Sequence, residues 1–262
     1  MSIISLEKVN FQYDETDRPV FTNLNLELNE GLTSLVGPNG SGKTTLMLLA
    51  GGRLMPDAGR IVIFGQESTK FTDEESRNQL VSFVYQNMEF ETEEPVGDLM
   101  EQIYAGGAHD GSDDLPAKLI RLFELEGDQG KRTQELSKGA LQRTIVAFSL
   151  LYGSPLVMMD EPLFAVEPRQ RELIMEYLTD YAAEYRTSFV YSAHELPLTR
   201  KYAQEALLFS KGGRIEQGPP TEILSQSNLE EAYGIPAALL SEKESLHRTH
   251  LKEVAEQLRS EE

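Results

Sequence analysis

The first thirty residues carry a pattern of apolar and polar positions that predicts β-structure. Leu24, Leu26 and Leu28 alternate with polar residues, and an alternation with a period of two residues is typical of a strand that buries one face. The polar run at 14–18, which ends before a proline, predicts a turn. Residues 1–30 are therefore expected to form antiparallel β-structure that covers the rest of the fold as a lid.

Short runs rich in apolar residues follow and predict further strands. Runs of this kind are typical of strands that are covered on both faces, and helical segments lie between them. The five runs are 32–36, 61–65, 81–85, 156–159 and 187–191. The alternation of strands and helices predicts an α/β fold. The strands at 61–65 and 81–85 are expected to end in loops at one common site.

Residues 88–152 differ from their surroundings, because an acidic stretch leads into a helical pattern that is interrupted by a loop at 106–116. This segment is interpreted as a helical insertion. The charged segment 241–262 carries apolar residues at the spacing of one helix face and is predicted to be a helical tail.

A glycine-rich stretch, LVGPNGSGKTT at 35–45, indicates a phosphate site. Its spacing of glycines before a lysine and a threonine is that of the nucleotide-binding P-loop, whose backbone N–H groups surround phosphates. Lys43 is expected to reach the terminal phosphates of ATP, and Thr44 to bind Mg²⁺. The alternative, a surface turn with a solvated lysine, is disfavoured because an apolar strand precedes the loop and an apolar helix follows it. The predicted ATP-binding residues are Gly37, Pro38, Asn39, Gly40, Ser41, Gly42, Lys43, Thr44 and Thr45.

Composition excludes several other functions. The net charge of −19, from 43 acidic and 24 basic residues, and the lack of a basic patch weigh against a nucleic-acid partner. The chain has no cysteine, which excludes disulfides and cysteine-ligated metal centres within it. It shows neither a signal-peptide pattern nor 18 consecutive apolar residues, so neither export by a signal peptide nor a membrane span is expected. The histidines His109, His247 and His250 are expected to be solvated rather than metal-bound.

Two acidic residues follow the buried run LVMM at 156–159. A carboxylate at the end of such a strand beside a P-loop can hold Mg²⁺ through water, which is the role expected of Asp160. The next carboxylate, Glu161, is expected to orient and polarise the attacking water. This pattern is that of a Walker B strand.

Together with LSKGALQR at 136–143, Gln86 and His194, these motifs resemble the nucleotide-binding subunit of ATP-binding cassette (ABC) transporters over nearly the whole chain from Ile3 to Pro236. The resemblance implies a P-loop NTPase with a RecA-like core of mixed or parallel sheet, an antiparallel β subdomain and an inserted helical subdomain. It also implies that Gln86 contacts γ-phosphate and Mg²⁺, and that His194 contacts γ-phosphate and orients the attacking water.

The resemblance implies further residue roles and a domain division. Tyr13 matches the aromatic residue that stacks on adenine, although a tyrosine that merely packs on the β lid is the competing interpretation. The signature residues Ser137, Lys138 and Gly139 are expected to face ATP bound to the other subunit of a homodimer or heterodimer. The implied single ABC ATPase domain, 1–240, comprises the antiparallel region 1–30, a nucleotide-binding core at 31–87 and 153–240, and the helical subdomain 88–152.

The signature and D-loop depart from the family pattern at four positions. Lys138 replaces a glycine and Ala140 a glutamine in the signature, whereas Phe164 and Glu167 replace serine and aspartate in the D-loop. Lys138 either neutralises phosphate or crowds its approach. Because the departures affect only residues that act on the other subunit's ATP, slow hydrolysis by a homodimer is expected, or better function beside a different ABC subunit.

The resemblance implies a peripheral subunit on the cytoplasmic face of the cell membrane, which drives a separate integral membrane permease. The stretch 202–236 resembles ATPases that import metal chelates such as siderophore iron, haem or cobalamin. Two alternatives remain open: an ABC exporter ATPase, and a soluble ABC ATPase of a cytosolic assembly system such as iron–sulfur cluster biogenesis.

Overall fold

The computed structural model describes residues 1–71, 73–109, 114–193, 195–210 and 212–236. The strands are β1 (Ser2–Phe11), β2 (Phe21–Asn29), β3 (Leu32–Val36), β4 (Ala58–Ile63), β5 (Gln66–Glu67), β6 (Val81–Val84), β7 (Leu156–Met159), β8 (Ser188–Ser192), β9 (Glu205–Phe209) and β10 (Ile215–Gly218). The α-helices are α1 (Lys43–Ala50), α2 (Glu74–Asn78), α3 (Val96–Gly106), α4 (Leu115–Leu122), α5 (Lys138–Tyr152), α6 (Pro168–Tyr185), α7 (Leu196–Tyr202), α8 (Pro220–Ile223) and α9 (Gln226–Tyr233).

The described strands form two sheets. A four-stranded antiparallel sheet has the order β2-β1-β4-β5, and a six-stranded sheet has the order β10-β9-β3-β8-β7-β6. In the six-stranded sheet the neighbours from β9 to β6 are parallel, and only β10 pairs antiparallel. The carboxyl ends of the parallel strands therefore lie at one edge, which is where α/β sheets bind ligands.

The prediction of antiparallel β-structure at the start of the chain is confirmed. Strands β1 and β2 pair antiparallel, with Ile4 opposite Leu28 and Leu6 opposite Leu26. These four side chains are buried, because the alternation along β2 directs its leucines to one face and its polar residues to solvent.

The strand predicted at 61–65 is present, but the expectation that it ends at the common site is wrong. It is observed as β4 and pairs antiparallel with β1, with Ile61 opposite Leu6, so it belongs to the four-stranded sheet. A run of apolar residues indicates a strand without identifying its partner, and the partner here lies some fifty residues earlier in the chain.

The proposed domain division stays a prediction.

The six-stranded sheet is covered on both faces, as the apolar runs predict. In β7, Leu156 and Met158 pack with α1 and the antiparallel sheet, whereas Val157 and Met159 pack with helices α3 to α6. All four side chains are fully buried. A strand whose two faces both meet apolar layers needs apolar residues at every position, which is why β7 shows no alternation.

The segment 88–152 is helical, as predicted, and holds α3, α4 and α5. One expectation for a residue of this segment is wrong, because the side chain of His109 is not simply solvated. Its Nε2 lies 2.9 Å from the carbonyl oxygen of Leu150, and its ring packs against Tyr104 and Tyr185. His247, His250 and the predicted tail at 241–262 lie outside the described residues. No helix in the described part of the chain is long and apolar enough to cross a membrane.

Candidate nucleotide site

The P-loop lies between the end of β3 and the start of α1, as the sequence predicts. Gly37 begins the turn with a φ of 152°, and a Cβ at this position would lie 2.6 Å from the carbonyl oxygen of Phe209 on β9. Any other residue here would collide with the main chain of the neighbouring strand. The first glycine of the motif is therefore required for the loop to leave the sheet edge.

A buried lysine and a buried hydroxyl group lie at the P-loop. Lys43 is 7% exposed, and its Nζ donates to the carbonyl oxygens of Gly37 at 2.8 Å and Pro38 at 3.0 Å. Burial lowers the pKa of Lys43, and the nearby carboxylates of Glu161 and Asp160 oppose this shift. The hydroxyl of Ser41 is buried and has no hydrogen-bond partner among the described residues. A desolvated cation and an unpaired hydroxyl donor suit a phosphate ligand.

Thr44 and Asp160 bring the P-loop and the Walker B strand into contact. The Thr44 hydroxyl donates to Asp160 Oδ2 at 2.6 Å, and the main-chain N–H of Asp160 donates to the carbonyl oxygen of Val84 on β6 at 2.8 Å. A hydroxyl and a carboxylate are oxygen ligands of the kind that Mg²⁺ accepts beside substrate phosphates. Mg²⁺ is commonly held by one or two carboxylates together with substrate phosphates, so this pair suits that metal.

Glu161 follows directly and has an unusual backbone. Its φ is 50°, a left-handed conformation that is uncommon for a residue other than glycine. Its main-chain N–H donates to the hydroxyl of Ser192 at 2.8 Å, and that hydroxyl donates to Asp160 Oδ1 at 2.6 Å. The two predicted acidic residues are thus joined through one buried serine at the end of β8.

The structure places Gln86 two residues beyond the end of β6, where its side chain is exposed. Because β6 pairs in parallel with β7, Gln86 lies at the same sheet edge as Asp160. His194 lies outside the described residues. The preceding residue, Ala193, donates its N–H to the carbonyl oxygen of Leu35 at 3.1 Å, so the chain passes beside the end of the P-loop strand immediately before His194.

Tyr13 lies beside the P-loop helix, just beyond the end of β1. Its hydroxyl is 3.1 Å from the hydroxyl of Thr45, and its ring meets Phe11 edge to face with 4.9 Å between centroids. The side chain is 38% exposed. The antiparallel sheet therefore holds an aromatic ring next to the first turn of α1 and leaves part of it open to a ligand.

We expect Tyr13→Ala to weaken ATP binding and Tyr13→Phe to preserve it. Stacking of a base on an aromatic ring contributes about 1–3 kcal/mol, so the alanine variant should lose about 5- to 150-fold in affinity, whereas phenylalanine keeps the ring and loses only the contact with Thr45. Titration with ATP by isothermal calorimetry measures both. Equal affinities in all three proteins would show that Tyr13 only packs on the sheet.

The signature segment begins α5, and its serine caps the helix. The Ser137 hydroxyl accepts the N–H of Ala140 at 3.2 Å, and Lys138 is the exposed first residue of the helix. A Cβ added to Gly139 would lie 2.9 Å from the carbonyl oxygen of Ala165, so this glycine permits a close approach between the signature and the D-loop. An alanine here would require one of the two segments to shift.

Arg171 of α6 holds the D-loop and is a residue that the sequence reasoning missed. Its guanidinium donates to the carbonyl oxygen of Phe164 at 3.2 Å and forms an ion pair with Glu195, the residue after His194. The side chains of Arg171 and Glu195 are mostly buried, at 14% and 20% exposure. Ser192, whose hydroxyl joins Asp160 and Glu161, was also missed, although a polar residue that ends an apolar strand is a signal that could have identified it.

Comparison with known proteins identifies the family. The model of the ABC transporter family matches residues 21–164. The nickel import ATP-binding protein NikO of Rhodobacter capsulatus is 31% identical over 237 residues, which cover 86% of this chain and 92% of that protein. The hemin import ATP-binding protein HmuV of Bordetella avium is 28% identical over 248 residues, which cover 90% of this chain and 95% of that protein.

Not every relative matches along its whole length. The chain is 28% identical to YkoD of Bacillus subtilis over 223 residues. These residues cover 84% of this chain but only 40% of YkoD.

A solved structure shows the same fold. The dimeric, post-hydrolysis structure of the ATP-binding cassette MJ0796 bound to ADP and Pi superposes with a TM-score of 0.70 at 22% identity, covering 83% of this chain and 98% of that one. The predicted ABC ATPase fold is thereby confirmed. Because the family model covers more than half of the sequence, the chain belongs to the ABC transporter family of ATP-hydrolysing proteins.

Proposed function

We propose that this chain is the subunit that binds and hydrolyses ATP for a separate membrane permease, which imports a metal chelate or cofactor. The observation that carries the hydrolytic part is the 2.6 Å contact between the Thr44 hydroxyl and Asp160 Oδ2. It joins the P-loop to the acidic end of β7, which is the arrangement that ATP hydrolysis with Mg²⁺ requires.

The proposed roles of the residues combine their chemistry with what the resemblance to ABC ATPases implies for Tyr13, Gln86 and His194. Lys43 and the P-loop N–H groups hold the terminal phosphates, and the ring of Tyr13 stacks on adenine. Thr44, Asp160 and Gln86 would hold Mg²⁺, which would neutralise phosphate charge when bound. Glu161 orients and polarises the attacking water, with His194 as its partner at the γ-phosphate. The desolvated cation of Lys43 is already positioned where negative charge develops on the phosphates in the transition state.

The signature residues act on a second subunit's ATP. The hydroxyl of Ser137 lies at the N-terminus of α5, which is a 15-residue helix. The dipole of this helix favours an anion at its N-terminus. We propose a dimer in which each ATP lies between one P-loop and the opposite signature. Slow hydrolysis as a homodimer, and faster hydrolysis beside a different ABC subunit, follow from Lys138 in the signature and Phe164 in the D-loop.

We expect Lys138→Gly to raise the turnover of the purified homodimer about 3- to 10-fold, because a cation at a helix N-terminus opposes the dipole and the long side chain crowds the phosphate. Steady-state phosphate release measures this. Lys138→Met separates the two causes, since it removes the charge but retains most of the length of the side chain. An ordinary rate for the unmodified homodimer, with no change in Lys138→Gly, contradicts the proposal of slow turnover.

The relatives support import as the direction of transport. NikO and HmuV are import ATP-binding proteins for nickel and hemin, and the chain covers more than nine tenths of each of them. Both cargoes contain a metal. The resemblance of residues 202–236 to importers of metal chelates points to the same class of cargo for this chain. The proposal places the chain at the cytoplasmic face of the cell membrane, docked on its permease.

Affinity purification of the tagged chain from gently solubilised cells of its source tests the proposal. The Glu161→Gln variant should be purified in parallel, because an ATP-bound complex that does not hydrolyse is the easier one to recover. Mass spectrometry is expected to find a polytopic membrane protein, whose own sequence then indicates import or export. Recovery of soluble scaffold proteins alone would replace the transporter with a cytosolic assembly system and leave the nucleotide-site roles unchanged.

A further inference from the structure

Ser192 is a buried polar residue at the end of β8, and it is 1% exposed. Strand β8 lies between β3, which leads into the P-loop, and β7, which leads into Asp160 and Glu161. A hydroxyl at this position is therefore enclosed between the phosphate-binding loop and the acidic pair.

The hydrogen bonds of Ser192 have only one consistent arrangement. A serine hydroxyl has one hydrogen to donate and two lone pairs to accept. The main-chain N–H of Glu161 can only donate, so it occupies a lone pair of the Ser192 oxygen, at 2.8 Å. The hydrogen of Ser192 is then given to Asp160 Oδ1, at 2.6 Å. Both neighbours are satisfied at once, and the bond from Glu161 cannot reverse because a main-chain N–H does not accept.

This arrangement sets the orientation of the Asp160 carboxylate. Its Oδ1 is held by Ser192, while its Oδ2 faces the hydroxyl of Thr44 at 2.6 Å. A bond to a charged oxygen in a buried setting is among the stronger hydrogen bonds in proteins. Ser192 thereby keeps one defined carboxylate oxygen on the side of the P-loop.

The same hydroxyl supports the strained backbone of Glu161. A left-handed φ at a residue other than glycine persists only where its surroundings hold it, and the N–H of Glu161 is held by Ser192. The direction in which the Glu161 side chain leaves the main chain depends on that conformation.

We infer that Ser192 is a positioning residue for ATP hydrolysis, which acts by orienting the Asp160 carboxylate toward the metal side and by holding the backbone of Glu161. The inference rests on the proposed roles of Asp160 and Glu161. Ser192 itself does not touch the reacting atoms.

A pair of variants with the same shape isolates the hydroxyl. Ser192→Thr and Ser192→Val both place a β-branched side chain in a strand, where such residues are favoured, but only threonine can make the two hydrogen bonds. We expect the threonine variant to stay within about threefold of the unmodified protein, and the valine variant to lose about 10- to 100-fold in kcat with a KM for ATP that changes much less.

A second readout does not depend on turnover. Binding of a fluorescent ATP analogue is measured in EDTA and in Mg²⁺. The valine variant should bind normally in EDTA but gain less affinity from Mg²⁺ than the threonine variant, because its Asp160 is no longer oriented. Thermal melts monitor folding, and Ser192→Ala takes the place of valine if the larger side chain prevents folding.

Equal kcat and equal Mg²⁺ dependence in the hydroxyl-bearing and hydroxyl-free variants would overturn the inference. Glu161→Gln, measured alongside, distinguishes this outcome from a failure of the proposed site. If Glu161→Gln abolishes turnover and the Ser192 variants match each other, only the role of Ser192 is wrong. If Glu161→Gln hydrolyses ATP at the unmodified rate, the site assignment itself is wrong.

Discussion

Glu161→Gln is expected to abolish ATP turnover while ATP binding is retained. Glutamine has nearly the same shape as glutamate but lacks the charge needed to polarise water, and loss of a general base typically costs about 10²- to 10⁴-fold in rate. The hydrogen bond from residue 161 to Ser192 uses the main-chain N–H, so it survives the substitution. Phosphate release measures the loss, and titration with ATP should give an affinity within about threefold of the unmodified value.

In the proposed dimer, bound ATP closes the two subunits and hydrolysis opens them, so the same variant should accumulate a dimer when ATP is added. Size-exclusion chromatography with light scattering detects this. Glu176→Gln is the matched control, since it removes the same charge from an exposed position on α6 and should leave the rate unchanged. Full activity in Glu161→Gln would assign the water-activating role to another residue.

Local sequence patterns predict the parts of this site that lie close together in the chain. The P-loop needs a strand, a glycine-bearing turn and a helix in succession, all within residues 32–50, and the acidic pair follows its own strand directly. The cap of α5 at Ser137 is equally local, because its hydroxyl reaches an N–H only three residues later. Motif spacing encodes such features because the chemistry and the local backbone use the same few residues.

Features that depend on which strands are neighbours could not be predicted in this way. The bond between Ser192 and Asp160 joins residues 32 positions apart, and it exists because β8 lies next to β7 in the sheet. The pairing of β4 with β1 and the packing of His109 against α5 and α6 are of the same kind. An apolar run or a single histidine does not specify which residues it packs against, because many partners would bury it equally well.

Lys43→Met is expected to remove ATP binding without unfolding the protein. Methionine keeps most of the length of the side chain but loses the cation, and each lost hydrogen bond to a charged phosphate typically costs about 1.5–3 kcal/mol. The affinity for ATP should therefore fall by about 10- to 100-fold or more. Isothermal calorimetry measures the affinity directly, and the rise in melting temperature caused by ATP should disappear with it.

The melting temperature without nucleotide should stay equal or rise, because Lys43 is 7% exposed and burial lowers its pKa. A lowered lysine pKa means that the folded state disfavours the charged form, so the cation costs stability at neutral pH, and an uncharged methionine relieves that cost. The lost bonds to the Gly37 and Pro38 carbonyl oxygens partly offset this gain.

Lys201→Met removes the same charge from an exposed lysine on α7 and should bind ATP normally. A Lys43→Met protein that binds ATP as tightly as this control would refute the phosphate-binding role of Lys43, whereas a protein that loses both its fold and its affinity would show that the buried cation stabilises the loop itself.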